Sequence, residues 1–290
     1  MSDILLTERV GKDGTIALLT MNRPEVRNAM NPELRAELSD ALKEAEADPG
    51  VQVVILTGAG EVFCAGMDLR AFAAGGDFSA LTWFYHEGIS KPTIAALNGP
   101  AVAGGFELAM ACDLMVAADT AKVGIPEVKR GLYAAGGGTT LAERVPLAVA
   151  LELGLTGDPI PAQRAAELGL INAVVPAGQV LAAAIGLAER IAPNAPLALA
   201  MTKKLIRERR WGTPEETHSV FGSADAREGA TAFAEKRSPA WTGQLSPGGT
   251  NGVSPRTPRC GPDGKNRHRI GPAARGAQFE PSLRIAARQG

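Results

Sequence analysis

Two glutamates stand where an acid needs a reason to be. Glu107 lies inside "AVAGGFELAMACDLMVAA", residues 101–118, a nearly all-apolar stretch, directly behind Gly104 and Gly105. An ionised carboxylate taken out of water costs several kcal/mol unless it is paired, hydrogen-bonded or protonated, so its surroundings must compensate it or its chemistry must use it. Nineteen residues separate it from Glu127 in "VGIPEVKRGL", where Pro126 suits a first helical position. Singly, each reads as a first-turn acid that gains about 0.3–1 kcal/mol from the helix dipole. Glu107, however, has no Ser or Thr three residues earlier to complete a capping box. As a pair, two carboxyls with different proton affinities are what proton delivery and removal at neighbouring atoms require.

Two glycine-rich loops accompany them. "ILTGAGEVFCAGMDL" and "AALNGPAVAGGFEL" each run strand, Gly-turn, small residues, Gly, then a segment compatible with a helix. Each brings backbone N–H groups to a helix opening, where the first turn leaves donors unsatisfied and the dipole favours negative charge. Two such loops can face one anionic oxygen. Gly136, Gly137 and Gly138 allow tight packing or the start of a helix near the same pocket. Other chemistries lack their residues. "GAG" and "GGG" are not GxGxxG, and neither GxxxxGKS nor GxSxG occurs. Cys64, Cys112 and Cys260 have no metal-ligand or CxxC spacing and read as reduced structural thiols, and His86, His218 and His268 form no ligand cluster.

The elements that must position these residues follow from periodicity. "ILLTERV" and "TIALLTM" read as two strands joined by the turn "GKDG". Asn31 before Pro32 caps an amphipathic helix carrying Leu34, Leu38, Ala41 and Leu42 through to about Ala47. "VQVVILTG", "TIAALNG" and "DLMVAAD" are buried strands, residues 80–89 read as helical, and "AKVGI" is a further extended piece. Alternating strands and helices indicate an α/β fold. From about residue 138 helices dominate: "TTLAERVP", "LAVALELGL", "PAQRAAELGL" and "VLAAAIGLAERIA", with "INAVV" extended, then "APLALAMTKKLIRERRW" and "REGATAFAEKRSPAW".

At 290 residues and 45% hydrophobic content the chain can bury a full core. Its net charge of -1 hides an asymmetry: residues 246–290 carry 8 Lys and Arg against 2 Asp and Glu, leaving 22 against 29 for the rest. An acidic body without a basic stripe argues against nucleic acid as its ligand. The tail, with 8 Gly and 6 Pro and no sustained apolar period, reads as disordered. With no long uncharged apolar run and no leader-like start, the sequence reads as that of a soluble cytoplasmic protein, with no membrane partner.

The segments "MNRPEVRNAMNPEL", "LTGAGEVFCAGMDL", "PTIAALNGPAVAGGFELAMACDLMVAAD" and "AKVGIPEVKRGL", followed by a helical region ending in "EGATAFAEKRSPAW", resemble the crotonase, or enoyl-CoA hydratase/isomerase, superfamily in order and spacing over about residues 3–242. The resemblance implies an α/β spiral of repeated ββα units in residues 1–195, holding the active site, and a helical C-terminal trimerisation region in 196–242, with 243–290 as an appended tail. It implies an acyl-CoA thioester whose carbonyl oxygen meets the backbone N–H groups of Met67 and Gly104. Val26, Asn28, Ala65, Asp68 and Leu69 match positions along the groove for the CoA portion, although Asp68 reads equally as a helix cap. Glu107 and Glu127 match the two catalytic acids of the hydratases.

The implied reaction is reversible addition of water to 2-enoyl-CoA, with Glu107 activating water and Glu127 exchanging the proton at the alpha carbon. The alternative is a related enzyme using the same enolate-stabilising hole, a double-bond isomerase or a dehydratase of a specialised acyl-CoA; an isomerase needs one proton shuttle, so retention of both acids leans towards water chemistry. A non-catalytic acyl-CoA or RNA-binding relative is more remote, since no acid is lost. The implied chemistry uses no metal or redox cofactor, coenzyme A entering as part of the substrate, and the implied assembly is a homotrimer or a dimer of trimers. One departure stands out: "GLYAAGGG" puts Tyr133 and Ala134 where many hydratases have a proline after the second acid, which implies a differently shaped acyl pocket.

Overall fold

A computed structural model describes residues 4–244. Strands β1 (Leu5–Val10) and β2 (Ile16–Met21) form an antiparallel hairpin with Leu5 opposite Met21. The chain then enters α1 (Pro32–Ala47), where Asn31 Oδ1 accepts a hydrogen bond from Leu34 N at 2.9 Å and so satisfies one of the orphan donors of the first turn. Leu34, Leu38 and Leu42 lie on one face and are fully buried. Strand β3 (Val53–Gly58) follows, buried at every position because the sheet is covered on both sides.

Short helices α2 (Leu69–Ala73) and α3 (Thr82–His86) precede β4 (Thr93–Leu97). Next come β5 (Ala101–Val102), α4 (Gly104–Ala111), β6 (Leu114–Ala118) and β7 (Lys122–Gly124). Helix α5 (Leu147–Thr156), β8 (Ile160–Pro161), α6 (Ala162–Glu167), β9 (Ala173–Val175) and α7 (Val180–Ile191) complete the α/β part. The main sheet has the order β1-β2-β3-β4-β6-β9, and all its pairings after the hairpin are parallel.

The loops after the parallel strands form a ladder of their own. Met30 bridges Met67, Cys64 bridges Ala101, Val102 pairs with Gly124, and β7 pairs with β8. Each pass of the chain thus adds one strand to the main sheet and one short piece to this second layer. Neighbouring loops are stacked at about one strand spacing, ~4.8 Å. That stacking is what brings distant glycine-rich turns together.

Helices α8 (Pro196–Glu208), α9 (Pro214–Phe221) and α10 (Ala224–Glu235) close the described residues, as the helical C-terminal reading expected. Lys203 and Arg207 of α8 grip Asp113, at 2.6 and 2.8 Å, beside the Thr93 hydroxyl. Several local readings differ. Residues 80–89 hold a 3-10 turn at Ser79–Leu81 and only the short α3; Pro126–Arg130 and Gly138–Glu143 are likewise 3-10 turns, each set off by glycine in the left-handed region at Gly131 and Gly137. Helix α9 escaped the pattern reading although "TPEE" writes a capping box, in which the Thr213 hydroxyl accepts from Glu216 N and Glu216 accepts from Thr213 N. Among the described residues no helix is long and apolar enough to cross a membrane. The basic tail, read as disordered, falls outside the described residues.

Candidate active site

The N-terminus of α4 is open. Ala103 precedes it at φ 53°, ψ -137°, a conformation that costs an alanine of order 1–3 kcal/mol. Its amide is tied to Gly124 O at 2.9 Å, which fixes the direction in which the chain enters the helix. Gly104 is then the first helical residue, so its N–H has no partner within the helix. Gly66, in the adjoining loop, has φ 95°; a Cβ there would stand 2.8 Å from Ala103 Cβ and 3.1 Å from Gly104 N. The position that a Cβ on Gly104 would take is in turn 3.6 Å from the nitrogen of Met67. Met30 flanks Met67 on both sides, its N bonded to Gly66 O and its O to Asp68 N, leaving the Met67 amide free. Among the described residues neither Met67 N nor Gly104 N donates a hydrogen bond. Two unused amides therefore stand in neighbouring loops.

One turn along α4 is Glu107, only 6% exposed. Its Oε1 accepts from Gly138 N at 2.8 Å. Burial raises its carboxyl above the ordinary range, opposed by the amides of Gly138 and Gly136 and by the charge of Arg35. The glycines leave the room: a Cβ on Gly136 would lie 2.8 Å from Glu107 Oε2, and one on Gly138 would lie 3.2 Å from Oε1 and 2.4 Å from Ala134 Cβ. This loop, read in the sequence as packing, is a cradle for the carboxylate. Its role was not legible because the partner lies thirty-one residues upstream.

Glu127 stands three residues beyond Gly124, whose pairing with Val102 sets it beside the start of α4. Both of its carboxyl oxygens are buried, and among the described residues no other residue donates a hydrogen bond to them. Burial pushes its carboxyl up to about 7, the dipole of its own amide pulling the other way and the negative charge of Glu107 adding to the rise. The two acids thus feel each other, and one has the amides of two glycines to hold a negative charge whereas the other has only its own.

The remaining candidates divide. Asn28, at φ 54° and fully buried, is committed to the scaffold: Oδ1 accepts from Arg23 N at 2.9 Å, and Nδ2 donates to Ala59 O and Val62 O at 2.9 and 2.7 Å. Asp68 caps α2, accepting from the amides of Arg70 and Ala71, and pairs with Arg23 at 3.3 Å. Its carboxyl is held below the ordinary range, burial being outweighed by those amides and by Arg23. Ala65 N donates to Arg27 O at 3.0 Å, while Val26 and Leu69 are exposed on the same loops. Cys64 and Cys112 are buried and free of disulfides, and burial pushes each thiol up to about 12. Tyr133 points outward, 71% exposed, and Ala134 packs inward against the Gly138 turn.

A spiral with two open amides and two interacting acids beside them can polarise a carbonyl and move protons at the atoms next to it. Residues 11–244 match the family model described as enoyl-CoA hydratase/isomerase. An enoyl-CoA hydratase of Mycobacterium tuberculosis is 40% identical over 250 residues, covering 79% of this chain and 94% of the relative. A carnitinyl-CoA dehydratase of Proteus mirabilis is 38% identical over 254 residues, covering 80% and 96%. A crystal structure of an enoyl-CoA hydratase from Mycobacterium tuberculosis superposes with a TM-score of 0.77 at 48% identity, covering 84% of this chain and all of that one. One of a carnitinyl-CoA hydratase from Mycobacterium avium superposes with a TM-score of 0.67 at 43% identity, again over 84% of this chain. The fold is that of the crotonases, and the chain belongs to the enoyl-CoA hydratase/isomerase family.

Proposed function

We propose that the protein is an enoyl-CoA hydratase that adds water reversibly across the double bond of a 2-enoyl-CoA thioester. The observation that carries this reading is the unequal acid pair beside the free amides of Met67 and Gly104: Glu107 is held by Gly138 N, and Glu127, to which no other described residue donates, is raised to about 7.

In this reading the thioester oxygen sits between the two amides. Each fixed donor there is worth about 2.7–4 kcal/mol as charge moves onto the oxygen. Glu107, ionised, takes a proton from water as the water oxygen bonds to the beta carbon. The electrons of the double bond pass to the carbonyl oxygen, and return as Glu127 gives its proton to the alpha carbon. One water has been added; transfer of a proton from Glu107 to Glu127 restores the pair. Each acid/base role contributes about 10²–10⁴-fold.

Dehydration of a specialised hydroxyacyl-CoA is the same chemistry run backwards, and the carnitinyl-CoA relatives keep that reading alongside. Loss of the conjugated absorbance of crotonyl-CoA and longer enoyl-CoAs tests the proposal: turnover on at least one chain length is expected, and none on any would overturn it. Assembly as a homotrimer or dimer of trimers is proposed from the apolar surface of the helical region, where Ile206, Trp211, Phe221 and Phe233 are each at least 70% exposed. Sedimentation giving a monomer would overturn that part.

A further inference from the structure

Among the described residues Arg35 is a cation with no counter-ion. It projects from α1 next to Leu34 and is 9% exposed. A guanidinium carries five N–H donors and keeps its charge at any physiological pH. Here Nη1 donates to the Tyr85 hydroxyl at 3.4 Å, the guanidinium's one hydrogen bond among the described residues, and Nε is buried with no partner. The ion lies 5.4 Å from the centroid of the Tyr85 ring and 6.0 Å from that of Phe78. No carboxylate among the described residues reaches ion-pair distance. Two ring faces return about 0.5–2 kcal/mol each, less than the several kcal/mol it costs to bury the charge.

The position of this charge gives it a use. The Tyr85 hydroxyl lies 4.0 Å from Met30 Sδ, and Met30 Cε lies 3.5 Å from the place of a Cβ on Gly104. Tyr85 therefore stands one side chain, Met30, away from the start of α4, and Arg35 stands directly behind Tyr85. The charged and titratable groups that feel Arg35 are Glu107, Cys64, Tyr85 and Asp77. Asp77 is at the surface with its carboxyl accepting from Ser79 N, and Glu107 is engaged by Gly138. Neither is a dedicated counter-ion.

We propose that Arg35, with Tyr85 beside it, is a specificity-determining residue that receives a carboxylate at the far end of the acyl chain, so that the preferred substrate is the CoA thioester of an unsaturated dicarboxylic acid. This rests on the reading of the site as one for acyl-CoA. A carboxylate would give the fork of donors two acceptors at once. The same charge repels a chain ending in a quaternary ammonium.

Binding of saturated, unreactive thioesters tests the idea without needing turnover. Calorimetry on the full-length protein with glutaryl-CoA and butyryl-CoA should show the carboxylated ligand binding about 10- to 100-fold more tightly, and 4-trimethylammoniobutyryl-CoA binding more weakly than either. Arg35→Met should erase the difference between the first two, and Arg35→Lys, which keeps the charge and loses the fork, should retain part of it. Equal binding of glutaryl-CoA and butyryl-CoA by the wild type overturns the proposal. So does an equal loss on both ligands in Arg35→Met, because a residue that only shapes the fold or biases Glu107 cannot tell them apart. Should Arg35→Met fail to fold, the wild-type comparison and Arg35→Lys still decide. A carboxylate preference without turnover of any enoyl-CoA sinks the hydratase reading alone; turnover without the preference sinks this one alone.

Discussion

The amide of Gly138 donates to Oε1 of the buried Glu107 at 2.8 Å. A bare glycine turn thereby supplies what a charged partner would supply elsewhere, and it does so without neutralising the acid. The carboxylate stays available as a base, at the cost of a steric requirement on the turn.

That requirement can be tested at Gly136. Its backbone is not in the left-handed region, so alanine is conformationally acceptable there, but the added Cβ would lie 2.8 Å from Glu107 Oε2. Gly136→Ala is expected to fold and to lose about 10²-fold in kcat, the usual consequence of a displacement near 1 Å at a reacting group. A rate within about twofold of wild type in steady-state hydration assays would mean that the turn does not set the carboxylate's position.

Removing the proton-carrying ability of Glu127 separates chemistry from binding. Glu127→Gln should lower kcat by about 10²–10⁴-fold while leaving the dissociation constant of a saturated acyl-CoA nearly as it was. The quantities to compare are single-turnover rate and calorimetric affinity. An unaltered rate would remove Glu127 from the mechanism.

The pH dependence follows from the same residue. Hydration needs Glu127 protonated, and its carboxyl is raised from 4.5 to about 7. The rate should fall as pH climbs through about 7, and that limb should vanish in the residual activity of Glu127→Gln. Stability carries the same sign. Between 4.5 and about 7 the folded chain holds a proton that the unfolded chain has released, so this group's contribution shrinks as pH rises through that window. Glu127→Gln should therefore melt higher than wild type above about 7 and alike below 4.5, and scanning calorimetry at both ends checks it.

Gly66 controls the other half of the site. With φ at 95° and Ala103 Cβ only 2.8 Å from the place of an added Cβ, Gly66→Ala must push the loops of Met67 and Gly104 apart. Loss of one donor to the oxyanion predicts a kcat lower by about 10²–10³-fold, together with about 1–2 kcal/mol of strain. A thermal shift with unchanged kcat would show that the loops relax without losing their joint aim.

Much of this was written in the chain. Buried strands announced themselves as short apolar runs between glycines, as in "VQVVILTG", and β3 is buried at each of its positions. Asn31 followed by Pro32 marked the start of α1 because side-chain capping and a fixed φ are local effects. The pattern at Asp68 could not choose between cap and groove, since either role needs an acid at a helix start; the hydrogen bonds to Arg70 and Ala71 establish the capping role. The short 3-10 turns at Glu127 and after Gly137 were read as helix starts, for a proline or glycine punctuates both alike.

By itself the sequence determined most of the strands and longer helices, the two glycine-rich turns and the presence of two acids in apolar surroundings, all of which depend on neighbours within a few residues. Only the tertiary structure decided that the cradle of Glu107 is the turn at Gly138 and that, among the described residues, no other residue donates to the Glu127 oxygens and Arg35 is buried without a counter-ion. Each of these is a pairing or a missing pairing between residues far apart in the chain. Tertiary packing creates them, and hydrophobic periodicity carries no record of which segment lies on which.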